Sequence, residues 1–128
     1  MSRPVHFEIQ ASNPQALMDF YSALLGWTFN KWEAGDYWMI TTGSADQPGI
    51  NGGLMPRRGG PPAEMAALNS YVNTMGVDDV EASLAKAVDL GGTIAVPKMA
   101  IPGIGWLGYV KDPDGNLFGM MQPDTDAA

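Results

Sequence analysis

Apolar and polar residues alternate from the first strand-like segment onward: Val5, Phe7 and Ile9 on one side, His6, Glu8 and Gln10 on the other. A period of two predicts a strand with one apolar and one polar face. Ser12-Asn13-Pro14-Gln15 then signals a helix start. Asn13 can cap, Pro14 suits the first helical turn, and Gln15 can reach back in a capping box from Ser12. Leu17, Phe20, Tyr21, Leu24 and Leu25 follow at helical spacing as one apolar stripe, and Gly26 is placed to end the helix. The strand's apolar face is therefore expected under the helix. His6, Glu8 and Gln10 then face the other way, toward a surface or a cavity.

Short strand-like segments come next. Residues 27–32 (WTFNKW) alternate, residues 37–42 (YWMITT) are aromatic and β-branched, and residues 50–55 (INGGLM) form a short strand interrupted by Gly52 and Gly53. Glycines inside a strand suggest a bulge or a close approach of something to the backbone. Residues 56–69 (PRRGGPPAEMAALN) read as a linker rich in Gly and Pro, with one helical turn in Ala-Glu-Met-Ala-Ala. The plan then repeats. Residues 71–77 predict a strand and Asp78-Asp79-Val80-Glu81 a second helix start. Residues 80–90 predict a helix with Val80, Leu84, Ala87 and Val88 inward, ended by Gly91-Gly92. Strands follow at 93–96, 106–110 and 116–121, separated by a loop at 97–105 and the turn Asp112-Pro113-Asp114-Gly115, and the tail after Pro123 is expected to fray.

Sliding the chain by 66 places Asn13 on Asp79, Ala16 on Ala82, Leu24 on Leu90 and Gly26 on Gly92. Each half reads β-α-β-β-β, an internal repeat of one supersecondary unit. The expected fold class is α+β, one 128-residue domain built from a module at about 1–57, a linker at about 58–69 and a module at about 70–123.

Composition narrows the function classes. The net charge is −7, which argues against nucleic acid and anionic membrane as partners. There is no cysteine, so disulfides, thiolate nucleophiles and cysteine-zinc sites are excluded. No run approaches the ~18 apolar residues of a membrane helix. The N-terminus MSRPVHFEI has no apolar signal core, and the expectation is a cytoplasmic protein.

His6 is the single histidine and shares its strand face with Glu8. A carboxylate that near favours the imidazolium and can orient the ring, so the pair is a candidate general acid/base. The plainer alternative is a polar strand face with an inert His6. Asp112-Pro113-Asp114-Gly115 lacks the later Glu of a calcium loop and reads as a hairpin turn. None of Gly52-Gly53, Gly59-Gly60 or Gly91-Gly92 is followed by the Lys-Ser/Thr of a phosphate loop.

Three segments carry a resemblance: VHFEIQASNPQALMDFYSALLGW, GVDDVEASLAKAVDLGG and KDPDGNLFGMMQPD. They resemble the vicinal oxygen chelate superfamily, which includes glyoxalase I, the bleomycin resistance proteins and the extradiol dioxygenases. NGGLMPR and VPKMAIPGIGW look like a subgroup of small glyoxalase-related bacterial proteins. The resemblance implies a cupped eight-stranded mixed sheet around one cavity, helices outside, and a homodimer. In metal-dependent members four inward positions hold the ion. Carried over, they fall on His6, within 51–53, on Val72 and on Gly119. At most one strong ligand survives, so no metal and no cofactor are expected.

The same register makes Val72, Thr74, Leu117, Gly119 and Met121 inward, an apolar lining with His6, Glu8 and Gln10 as a polar wall. Asn51 joins the expected ligand contacts. Met75, Met99, Met120 and Met121 either add adaptable lining or fill the core. Trp38 and Trp106 either stack on a ligand or close the core or the dimer. Two functions follow as expectations. One is a metal-independent or vestigial glyoxalase-related enzyme with His6 as base. The other is a non-catalytic protein that sequesters a small, largely apolar compound, as drug-resistance members of the family do.

Overall fold

In the computed structural model, which describes residues 1–63 and 71–128, eight strands and two helices form an α+β fold of two β-α-β-β-β units. The helical turn expected in Ala-Glu-Met-Ala-Ala falls largely outside the described residues. One unit runs from His6 to Tyr71; the other comprises Val72–Ala128 and the N-terminal Met1–Val5.

The first unit holds β1 (Pro4–Ala11, from His6 on), α1 (Pro14–Leu25), β2 (Thr28–Lys31), β3 (Trp38–Thr41) and β4 (Gly52–Pro56). The strands lie in the order β2-β3-β4-β1, with β4 parallel to β1 and antiparallel to β3. The register sets Phe7 beside Gly52 and Ile9 beside Leu54, and Leu54 and Gly52 in turn beside Trp38 and Ile40. These residues share the helix-facing side. Phe7, Ile9, Ala11, Met18, Ile40 and Leu54 are buried there as one core. Each of the larger side chains contributes about 1.5–3 kcal/mol by leaving water.

Asn13 caps α1, its Oδ1 accepting from the Ala16 amide at 3.1 Å, and Gly26 ends it in the left-handed region at φ 74°. Gln15 does not reach back as a capping box; its amide donates to Asp19 Oδ1 at 2.9 Å, one turn on. The apolar stripe also differs from its expectation. Met18 is the buried helix residue, Leu17 and Tyr21 pack beside it, and Phe20, Leu24 and Leu25 are exposed. The stripe is wider than the strip of sheet beneath it, so its outer edge stays outside this core.

The second unit holds β5 (Val72–Gly76), α2 (Val80–Asp89), β6 (Thr93–Ile101), β7 (Gly105–Lys111) and β8 (Leu117–Pro123), with strand order β5-β8-β7-β6. The N-terminal segment joins it: the Gly76 amide donates to Arg3 O at 3.1 Å. Asp79 caps α2 by accepting from the Ala82 amide at 3.0 Å. Val80 and Leu84 bury against Val110 and Met120, whereas Val88, expected inward, is half exposed. A Cβ on Gly108 would meet Leu84 at 2.9 Å, so the glycine admits the helix onto β7.

Two expectations in this unit are corrected. The loop expected at 97–105 is largely strand, because β6 runs nine residues to Ile101 through two register shifts between Ile94 and Met99. Pro97 falls within the second shift, and β6 is an edge strand, the setting in which a sheet tolerates proline. The tail after Pro123 does not fray. The Asp124 amide donates to Ile104 O at 3.0 Å, Gly103 donates to Ala127 O at 3.0 Å, and Ala127 is buried.

Candidate functional site

Opposite the helix-facing core, the first unit's sheet carries His6, Glu8 and Gln10 from β1, Gly53 and Met55 from β4, and Met39 from β3. The register sets Glu8 beside Gly53, Gln10 beside Met55, and Gly53 beside Met39. Alternation brings Tyr37, two residues before Met39, to the same side. A turn at 33–36 places it: the Tyr37 amide donates to Gly35 O at 2.9 Å, and its carbonyl accepts from the Trp32 amide at 2.8 Å.

The Tyr37 hydroxyl lies between His6 and Glu8. It is 2.8 Å from His6 Nε2 and donates to Glu8 Oε2 at 3.3 Å, while Nε2 and Oε2 are 3.7 Å apart. The Glu8 side chain is 11% exposed and the His6 side chain 33%, so the carboxylate is screened from water and the imidazole reaches it. Gly53 makes this packing possible. A Cβ there would overlap the Tyr37 phenol. The close approach that glycines in a strand suggest is therefore made by Tyr37. The sequence reading gave Tyr37 no role. The signal was Gly53, but its partner precedes the neighbouring strand and is not marked by spacing.

Gln10 continues the face, and its carbonyl accepts from Arg57 Nη2 at 3.0 Å. The other expected ligand contacts have varied surroundings. Trp38 lies on the helix-facing side against the core, with Lys31 Nζ 5.9 Å over its ring. Asn51 pins a loop, its Oδ1 accepting from the Thr42 amide at 2.9 Å. That loop, 42–51, forms a recess lined by Thr42, Ser44, Gln47 and Asn51 among others, and none of His6, Glu8 or Tyr37 belongs to it.

In the second unit, Thr74 is buried beside Gly119 on β8, and Leu117 and Met121 share that side by alternation, away from α2. Val72, two residues before Thr74, lies on the same side and is partly buried. Trp106 is on the α2 side, its indole donating to Asp124 Oδ2 at 2.9 Å and its ring covered by Lys98 Nζ at 4.7 Å. Both tryptophans thus sit in core packing. Met75 and Met120 likewise belong to the α2-side core.

The residues do not fit the divalent ion that the resemblance implies. On the polar face, the position beside Glu8 is Gly53, whose side-chain space Tyr37 fills. Val72 and Gly119 carry no donor side chain. Among the described residues no three His, Cys, Asp or Glu side chains cluster as a metal site would need. What remains is a hydrogen-bonded histidine, tyrosine and glutamate, an arrangement suited to proton transfer and to hydrogen bonding a ligand oxygen. Among the described residues, no helix is long and apolar enough to cross a membrane.

Comparison with known proteins adds to this geometry. The chain is 29% identical over 119 residues to a Mycobacterium tuberculosis protein named "Putative glyoxylase CFP32"; the match covers 91% of this chain and 42% of that protein, so the chain spans less than half its relative's length. A superfamily member from Vibrio splendidus superposes with TM-score 0.63 at 18% identity, covering 97% of this chain and all of that one. A variant of the Streptomyces coelicolor methylmalonyl-CoA epimerase, bound to 2-nitronate-propionyl-CoA, superposes with TM-score 0.61 at 18% identity, covering 100% of this chain and 99% of that one. At such identities the structural likeness speaks for the fold. The sequence profile of the glyoxalase/bleomycin resistance protein/dioxygenase superfamily matches residues 3–120. The chain belongs to that superfamily.

Proposed function

We propose that the chain binds a small, largely apolar molecule against the polar face of its first unit, and that His6 acts on it as a general base without a divalent metal. The observation that carries this reading is the contact of Nε2 of the partly exposed His6 side chain with the Tyr37 hydroxyl at 2.8 Å, itself hydrogen-bonded to the screened Glu8. An imidazole backed by a carboxylate is suited to take a proton from a carbon acid, such as a carbon next to a carbonyl, at neutral pH. Met39, Gly53 and Met55 give the rest of the face an apolar character that suits the body of such a ligand.

A second reading is sequestration without turnover. Met39 is 47% exposed on this face, and an exposed, flexible thioether suits a surface that adapts to its ligand. Native mass spectrometry of the purified protein for co-purified ligand, followed by a panel of carbonyl compounds with acidic α-hydrogens, separates the two. Turnover that disappears in His6→Ala supports the base; tight binding with no turnover supports sequestration; neither binding nor turnover on this face removes both. The same proposal takes the protein as a cytoplasmic homodimer. Light scattering at micromolar concentration checks the dimer, and a single monomeric mass excludes it.

A further inference from the structure

The misfit between these residues and a divalent ion has a positive side: Tyr37 fills the side-chain space of Gly53, which lies in the stretch 51–53 on which the second ligand position falls. We propose that Tyr37 is a positioning residue that locks His6 in one neutral tautomer, with hydrogen on Nε2, and so presents Nδ1 as the site's base.

A carboxylate only accepts hydrogen bonds, and a phenol has one hydrogen to give. Tyr37 lies within reach of both Glu8 Oε2, at 3.3 Å, and His6 Nε2, at 2.8 Å. If its hydrogen goes to Glu8, the shorter contact to His6 holds only when Nε2 supplies its own hydrogen. A neutral imidazole has one N–H, so Nδ1 keeps its lone pair. When Nδ1 takes a proton from a ligand, the new charge on the imidazolium is met through the phenol by the screened carboxylate. No bond in the relay breaks. The ligand loses one proton, His6 gains it, and Glu8 stays ionised.

Gly53 is part of this device. Any side chain there drives the phenol off its place between the two groups. A side chain at position 53 and the phenol in its present place therefore exclude each other.

The functional consequence rests on the reading of His6 as a base, but the tautomer is testable without any substrate. His6 is the single histidine, so histidine labelled with nitrogen-15 gives one imidazole spin system. In the full chain, above the pH at which the ring titrates, the expected result is an Nε2–H proton protected from exchange with water and an unprotonated Nδ1. Tyr37→Phe, which removes only the hydroxyl, is expected to lose that protected resonance while the remaining spectrum stays dispersed. Gly53→Ala, which keeps the tyrosine but displaces it, is expected to do the same. A wild-type ring with its hydrogen on Nδ1 overturns the proposal, and so does an Nε2–H signal that persists unchanged in Tyr37→Phe. Should Gly53→Ala fail to fold, the Tyr37→Phe result decides alone. A locked tautomer in a protein that turns nothing over leaves the proposal standing and removes the base-catalyst reading instead.

Discussion

The Tyr37 phenol, just before β3, fills the side-chain space of Gly53 on the neighbouring strand β4. The contact ties a turn residue to a strand glycine 16 positions later. It also converts an absent side chain into the means by which His6 and Glu8 are joined.

Gly53→Ala should therefore cost more than a strand glycine-to-alanine change usually does. Strand propensity alone favours alanine slightly over glycine, but the added methyl meets the phenol, and displacing it breaks hydrogen bonds to His6 and Glu8. A loss of about 1–3 kcal/mol is expected from such overpacking. Urea denaturation measures it, and the double variant Gly53→Ala/Tyr37→Ala should recover part of the loss. A neutral or stabilising Gly53→Ala would mean that the phenol is not held there.

Asn13→Ala and Asp79→Ala each remove the cap of a helix, leaving the Ala16 or the Ala82 amide without its partner. Each should lower stability by about 1 kcal/mol. Gln15→Ala, which removes only a surface pair with Asp19, should change it by a few tenths. Equal effects of Asn13→Ala and Gln15→Ala in denaturant titrations would contradict the observed caps.

The Trp106 indole, hydrogen-bonded to Asp124, holds that carboxyl below its ordinary range, with the Asp126 amide and the nearby Lys98 adding to the effect. A depressed folded pKa means that the unfolded chain binds the proton more readily. The contribution is therefore present above the ordinary aspartate pKa and is lost as pH falls through the depressed value. Asp112 behaves in the same sense, held low by Asn116. In denaturant titrations at a series of pH values, Asp124→Asn should lower stability at neutral pH and flatten the fall below about pH 4, where the wild-type chain loses this contribution. An unaltered acid limb would show that the indole contact does not favour the carboxylate.

Elemental analysis of the dialysed protein should find far less than one equivalent of zinc, nickel, iron or manganese per chain. One near-stoichiometric metal, lost in His6→Ala, would show that donors gather around His6 in a way the Tyr37–Gly53 contact does not allow.

The repeat, both helix caps and the two faces of β1 were legible in the sequence because each is a local matter: a cap needs three residues, an alternating face needs six. Tyr37 was not legible because its role depends on the β3–β4 register, which no local pattern sets. Trp38 and Trp106 read as core or dimer closure more readily than as ligand platforms, but composition cannot say which side of a strand faces a helix. Phe20, Leu24 and Leu25 followed helical period faithfully, yet period alone does not say how wide a strip of sheet lies beneath. Pro97 cuts β6 short in the sequence pattern because proline ends a strand except at an edge or an irregular register, and the edge is a property of topology.

That edge has a consequence for association. An outermost strand offers its unpaired amides and carbonyls to any passing extended chain. β6 carries Pro97, which has no amide hydrogen, two shifts of register that bend its ladder, and the charged Lys98 held against Trp106. Growth of the sheet by addition of another copy's strand is thereby blocked on that side. A Pro97→Val variant, which restores the amide and adds β-branching, would turn the same edge into a seed for aggregation.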